Sequence, residues 1–361
     1  MKKKLLAVGI ILLFVGTCII PAIAQDTEKS LPISRGNWLY VGGDEPGNYT
    51  RIQDALNDAS PGDTVFVYHG IYHETLSINI IDLVVHGENK DTTVISANSS
   101  TAITIKQDSV VIEGFTIFAL HNSSYGDGIY ISEDVHNVRI ANNNLSNNHY
   151  GITIDAYNTY DVVENNIFYA NFLGVTAGVF FNDGHALIRN NRFVGDFLGL
   201  DLHGTYNEIL NNTFLDCSQE GMNQYGGLST IQNNVFLGNR VGLLTRYGGN
   251  AIIGNHFEKN QIGLKGEGIS EDLIQQNNFI ENHRHAVFSE LNRSHGVRWD
   301  GNYWGGSSCL LDWKPIFGSM KTRIPRLYQP PIGATEYYSI LWLNFDRHPA
   351  KEPYDIPQVK L

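Results

Sequence analysis

One short signature returns through the second half of the chain at nearly constant spacing. It reads Val163-Glu-Asn-Asn-Ile-Phe168, Leu187-Ile-Arg-Asn-Asn-Arg-Phe193, Ile209-Leu-Asn-Asn-Thr-Phe214, Ile231-Gln-Asn-Asn-Val-Phe236, Ile252-Ile-Gly-Asn-His-Phe257 and Ile274-Gln-Gln-Asn-Asn-Phe279. Each copy holds an aliphatic residue, an Asn and a Phe two positions after that Asn. Val138-Arg-Ile-Ala-Asn-Asn-Asn-Leu145 is an earlier copy, and Val297-Arg-Trp-Asp-Gly-Asn-Tyr303 a final, altered one. From Leu145 to Tyr303 the endpoints are 23, 25, 21, 22, 21, 22 and 24 residues apart. A unit of this size cannot enclose a core alone. Stacking such units does, so the period predicts a solenoid.

A second element follows each Phe. Gly151-Ile-Thr-Ile-Asp155, Gly178-Val-Phe-Phe-Asn182, Gly199-Leu-Asp-Leu-His203, Gly221-Met-Asn-Gln-Tyr225, Gly242-Leu-Leu-Thr-Arg246 and Gly263-Leu-Lys-Gly-Glu267 are short alternating runs opened by Gly, which read as strands. Weaker strand signals continue upstream to Thr64. Thr64 to Trp304 has room for roughly eleven coils, a stack on the order of 50 Å long. The expected fold is all-β: a single-stranded right-handed parallel β-helix with a short N-terminal capping helix and an irregular C-terminal tail. The aliphatic and Phe positions stack inside. Asn166, Asn191, Asn212, Asn234, Asn255 and Asn277 sit at one turn, where Asn tolerates left-handed dihedrals, and form a structural ladder. Ile52, Ala55, Leu56 and Ala59 mark one face of the capping helix, which Ser60-Pro-Gly-Asp63 ends. Tyr337 to Phe345 is a strand-like run within a tail expected to pack on the last coils.

The other features bound the setting. Lys2, Lys3 and Lys4, an apolar run from Leu5 to Ile20 and Ala22-Ile-Ala24 have the form of a secretory signal peptide, with an uncleaved membrane anchor as the alternative. The domain reading is therefore a leader over 1–24, a lead-in over 25–47, the β-helix with its cap over 48–306 and a tail over 307–361. The formal charge is −12, and becomes −15 with those three lysines removed. This acidity argues against nucleic acid as a partner. Cys217 and Cys309 are left after the leader, with no spacing that signals a disulfide.

The stretch Gly47-Asn-Tyr-Thr-Arg-Ile-Gln-Asp-Ala55, the strand start Pro61-Gly-Asp-Thr-Val65 and the step Gly70-Ile-Tyr-His-Glu74 resemble the entry to pectin-lyase-like β-helix proteins. The Asn-Asn-x-Phe repeats with a closing Gly301-Asn-Tyr-Trp304 resemble the NosD/CASH group, many of whose members are secreted surface proteins of archaea. The resemblance implies a fold more specifically than an activity. The group contains carbohydrate-binding and sugar-hydrolysing members and a periplasmic accessory protein of copper-enzyme maturation. Copper sites favour His, Met or Cys clusters. Met222 and Met320 are the thioethers after the leader, and His69 with His73 and His283 with His285 are the closest His pairs. No metal site is expected, and no motif indicates calcium or any other cofactor.

Chemistry is expected on the outward side of the Gly-led strands, where the third and fifth residues point to solvent. By resemblance to β-helix enzymes, a saccharide would lie there. His203, Tyr225, Arg246 and Glu267 hold the fifth position of four consecutive coils, with Asp201 beside His203. A base, a phenol, a cation and carboxylates are the groups that lyase or epimerase chemistry at a sugar carboxylate requires. Leu198-Gly-Leu-Asp-Leu-His203 is loosely similar to the Tyr-Gly-x-Asp-Pro-His motif of alginate epimerases, with Leu198 in place of the Tyr and Leu202 in place of the Pro. Asp155, Asn182, Asn223, Lys265 and Glu290 extend the row as binding residues. Glu267 and Glu290, on adjacent coils, are the carboxylate pair for a hydrolase. The expected function is a secreted or cell-surface β-helix that binds polysaccharide or a cell-envelope glycoconjugate. The alternatives are a lyase, epimerase or hydrolase in the same groove, and a non-catalytic structural envelope protein.

Overall fold

A computed structural model of the chain describes residues 36–97, 101–119, 126–155, 157, 159–178, 184–291, 296–305, 313–323 and 337–356. The leader expected over 1–24, Asn182 and Cys309 lie outside the described residues. Three parallel ladders run the length of the molecule, and each coil adds one strand to each. The first ladder begins with Trp38–Val41, Thr64–Val67 and Val84–Gly87 and reaches Arg298–Asp300. The second runs from Gly70–Tyr72 to Tyr303–Trp304, and the third from Leu76–Ile78 through Arg284–Leu291 to Lys314–Arg323. The second ladder has eleven strands, so the coil number agrees with the repeat.

The repeat folds this way because each part of it meets its own copy one coil away. Phe168, Phe193, Phe214, Phe236, Phe257 and Phe279 form a buried column with ring centroids 4.6 to 4.9 Å apart and planes within 7° of parallel. Offset stacking adds to the area these rings bury. Trp304 closes the column on Phe279 at 4.5 Å. The final copy therefore ends at Trp304, two residues after Asn302, and not at Tyr303.

The asparagine ladder is longer than the expected six. Each Asn Oδ1 accepts the backbone N–H and the side-chain amide of the Asn one coil before, as Asn234 does from Asn212 at 2.8 and 3.1 Å. Each Nδ2 also donates back to a first-ladder carbonyl, Asn234 to Ile209 at 2.8 Å. The series runs from Asn143 to Asn302 and ends on Asp346, whose carboxylate accepts from Asn302, Gly301 and the Trp304 indole. The left-handed residue of the turn is the one before the ladder Asn: Asn165, Asn190, Asn211 and Asn233 have φ of 55 to 56°. The ladder Asn itself keeps an ordinary φ and turns its amide inward. That corrects the expected role of its dihedral.

Both ends are closed by local devices. The helix Ile52–Asp58 buries Ile52, Ala55 and Leu56 over the first coil. It has no side-chain cap of its own; Glu74, one coil on, accepts from the N–H groups of Ile52 and Gln53 at 2.8 and 3.1 Å. Such donors are otherwise orphans of a helix start. At the far end the tail is more regular than expected. Lys314–Arg323 and Tyr337–Asp346 form an antiparallel pair ten residues long. The first of these strands extends the third ladder by pairing Phe288–Leu291 with Gly318–Lys321.

Candidate functional site

The outer face of the third ladder gathers most of the expected site residues. Leu200 and Leu202 are fully buried while Asp201 and His203 look outward, and the next strands repeat this alternation except at Leu244, which is buried in the outward row. His203, Tyr225, Arg246 and Glu267 are successive partners in register. Thr176, Asp201, Asn223, Leu244 and Lys265 form the neighbouring row. Glycine is required where each strand begins. A Cβ on Gly221 would sit 2.7 Å from the Gly242 carbonyl oxygen, and one on Gly199 would sit 2.5 Å from that of Gly221.

The row is a connected network. Asn223 Nδ2 donates to Asp201 Oδ1 at 2.6 Å, and Arg246 Nη1 donates to Asn223 Oδ1 at 2.6 Å. Arg246 Nε and Lys265 Nζ reach the two oxygens of Glu267 at 3.0 and 2.5 Å. Partial burial opposes ionisation of Glu267, but Lys265 and Arg246 outweigh it and hold the carboxyl below its ordinary range. His203 Nε2 stands 3.5 Å from Asp201 Oδ2. The His203 ring lies 5.1 Å from that of Tyr225, and the Arg246 guanidinium sits 5.6 Å above the same phenol ring. The Tyr225 hydroxyl meets that of Tyr247 at 3.1 Å. Both cations thus converge on Glu267, and Asp201 joins the row through the Asn223 amide.

Three expectations are corrected here. The Gly-led strand of the fifth coil is Leu173–Ala177, opened by Gly174, because Gly151, Gly174 and Gly199 stack. Gly178, with φ 84°, ends that strand. The strand Arg284–Leu291 runs one residue out of the expected phase. Val287 pairs with Lys265, Phe288 with Gly266 and Ser289 with Glu267, and a bulge at Gly268 sets Glu290 opposite Ile269. Phe288 is consequently a core residue. Glu290 is buried and accepts from Asn344 at 3.0 Å, so it forms no carboxylate pair with Glu267. Asp155 stays at the groove, where it accepts from the Tyr130 hydroxyl; that bond, with burial, raises the phenol to about 12.

Two outer aromatic columns border this face. His149, Phe172 and Phe197 stack at 4.8 and 4.7 Å beside the strand starts. Tyr160, His185 and Tyr206 stack at 5.2 and 5.3 Å past the strand ends. The first column was readable, since each member lies two residues before a stacked glycine. The first ladder carries its own charge row, in which Arg139 bridges Glu113 and Glu164 at 3.0 and 2.7 Å and Arg189 meets Glu164 at 2.6 Å. An in-register charge network is therefore not peculiar to the groove.

No group of three or more His, Cys, Asp or Glu side chains is placed to hold a metal ion among the described residues. His69, His86, His256 and His348 each face one carboxylate, from Glu88, Glu113, Glu258 and Asp300. Met222, Met320 and Cys217 are buried, and burial pushes the Cys217 thiol well up.

Comparison with solved structures supports the fold. The chain is similar to the ORF18 protein of Geobacillus virus E2 with a TM-score of 0.55 and 13% identity, over 74% of this chain and 57% of that one. A DFA-IIIase from Arthrobacter chlorophenolicus A6, solved in complex with GF2, matches with a TM-score of 0.53 and 11% identity, over 74% and 95% of the two chains. The Dettilon tailspike protein matches with 0.52 and 16%, over 74% and 62%. This chain thus spans a little over half the length of the viral ORF18 protein. No curated protein matches it by sequence. A family model described as NosD, periplasmic copper-binding protein, matches residues 109–309, which include the whole groove. The chain belongs to the NosD family of parallel β-helix proteins.

Proposed function

We propose that this protein works outside the cytoplasm as a binding β-helix, holding a polysaccharide or glycoconjugate along the outer face of the third ladder without turning it over. The observation that carries this reading is the closed network from Asp201 through Asn223 and Arg246 to Glu267 and Lys265. It offers hydroxyl-rich ligands a fixed row of polar groups on four successive coils. A linear polymer lying along the axis would meet a different set of side chains on each coil. The aromatic columns, which end beside the first coil of this network at Phe197 and Tyr206, add apolar surfaces of the kind that saccharide rings pack against. The family description places its members in the periplasm, and the lysines and apolar run of residues 2–24 support export.

The same network disfavours catalysis on uronates. Arg246, the cation needed to neutralise a substrate carboxylate, is already engaged by Glu267 and Asn223. The second reading, a lyase or epimerase, rests on Asp201 and His203 standing together. The copper named in the family description finds no matching donor set among the described residues, and no step is assigned to it. A glycan array followed by calorimetry tests the proposal. Binding should weaken at least tenfold in Tyr225→Ala and Asn223→Ala. Absence of any saccharide ligand would leave the structural role. Depletion of a uronate polymer that is lost in His203→Ala would establish the enzyme.

A further inference from the structure

The C-terminal ribbon exposes more apolar surface than its place in the fold explains. Trp313, Phe317, Ile340, Leu341, Trp342, Leu343 and Phe345 are 38 to 76% exposed, Leu341 the most. Strand alternation puts Ile340 and Trp342 on one side of the ribbon and Leu341, Leu343 and Phe345 on the other. The first side packs on the last coil, since Met320 opposite Ile340 and Ile316 opposite Asn344 are buried. The second side, which also carries Phe317 opposite Leu343, stands bare. At about 150 to 250 Å² for a large side chain, these fractions amount to on the order of 600 Å² of apolar area.

The strand Tyr337–Asp346 is also an edge. It pairs with Lys314–Arg323 along its whole length on one side. On the other side, among the described residues, it pairs through Asp346 alone, with Trp299. Natural edges are guarded by Lys, Pro or bulges. Tyr337 to Phe345 has none of these and carries no Asp, Glu, Lys or Arg, in a chain of formal charge −12. An edge that pairs antiparallel with its own copy about a twofold axis sets the segment against itself, so a charge at its centre meets its like and a net charge is doubled across the seam. This segment meets that condition, and its partner strand, with Lys314, Lys321 and Arg323, does not.

We infer that the protein forms a twofold homodimer through Tyr337–Asp346, the two ribbons joining edge to edge into one four-stranded sheet in which the apolar side chains become cross-strand neighbours. The inference is independent of what the groove binds. Sedimentation velocity of the full chain over roughly 1–100 μM should show a species of two chains, with Trp emission moving to shorter wavelength as it forms. Leu341→Lys with Leu343→Lys should leave single chains across that range, with an unchanged β-type circular dichroism spectrum. A wild-type chain that stays single at the highest concentration overturns the inference. So does a dimer that survives both lysines. A chain that is single in solution but sediments with phosphatidylglycerol-containing vesicles also overturns it, because the ribbon would then be a lipid contact.

Discussion

Asn171 and Asp196 occupy equivalent inward positions on adjacent coils, and the difference between them follows from what the next coil offers. Asn171 donates its amide to Asp196 Oδ1 at 3.0 Å and to the Leu145 carbonyl at 3.0 Å, so both its hydrogens are used. The rung after Asp196 is Cys217, which presents no good acceptor. Asp161 is followed in the same way by Ala186, and Asp272 by Val297. An amide at such a position strands one N–H, whereas a neutral carboxylic acid has one proton to give and one oxygen to accept with. All three aspartates are buried, Oδ2 of each makes no hydrogen bond, and burial raises each to about 7. Asp196→Asn should therefore act in opposite directions at two pH values. At pH 5 it should cost about 1 kcal/mol, the price of one stranded donor. Above pH 7.5 it should stabilise, because the wild-type carboxyl is then ionised in the core. Chemical denaturation at both pH values checks this; a variant equally affected at each would sink the account. The sequence shows these aspartates, but only the stacking register shows which residue follows each one.

At the scale of the strand, the repeat was legible because the same contact recurs at every coil. An aliphatic residue, an inward Asn and a Phe are forced by a column of like neighbours, so the pattern survives in one sequence. Phase within the third ladder was less legible. Gly174 and Gly178 both precede alternating residues, and the choice of Gly174 depends on the Gly199 carbonyl one coil away. The bulge at Gly268 similarly moves Glu290 from groove to core with no local signal beyond the glycine itself. The strand phase expected from the sequence thus holds from Asp201 to Lys265, which are successive register partners, and fails at Glu290, which is buried. The column makes a measurable claim. Phe236→Ala removes a ring stacked at 4.9 Å on both sides and should cost about 3 to 5 kcal/mol. Gly221→Ala leaves all side chains in place but drives a methyl to 2.7 Å from a carbonyl oxygen and 3.0 Å from the Phe214 Cβ. Overpacking of this kind should cost about 1 to 3 kcal/mol. Thermal unfolding of both variants tests the pair, and a neutral Gly221→Ala would show that the coils can spread.

Over the whole molecule, the buried acids set how stability depends on pH. Asp161, Asp196 and Asp272 titrate near 7 in the folded chain and near 3.9 when unfolded. Between those values the folded state binds more protons than the unfolded one, so stability falls as pH rises. Their contribution is complete below about pH 4 and lost by roughly pH 7 to 8, at on the order of 4 kcal/mol for one such carboxyl. Glu113, Glu164 and Glu267 work in the opposite sense. Burial raises them, but His86 and Arg139, Arg139 and Arg189, and Lys265 and Arg246 respectively hold them below the ordinary range. Their support is present above about pH 4.3 and fades only as pH falls through the lowered values. The two groups leave a maximum between about pH 4 and 5. Above it, repulsion among the 37 acidic residues, against 25 basic ones, adds to the decline. Scanning calorimetry of the wild type should give its highest Tm in that window and a steady fall toward pH 8. Replacing Asp161, Asp196 and Asp272 together by Asn should flatten the fall while leaving the acid limb, which belongs to the paired glutamates, where it was. A wild-type Tm that rises from pH 5 to pH 8 would show that these three carboxyls are ionised in the folded chain.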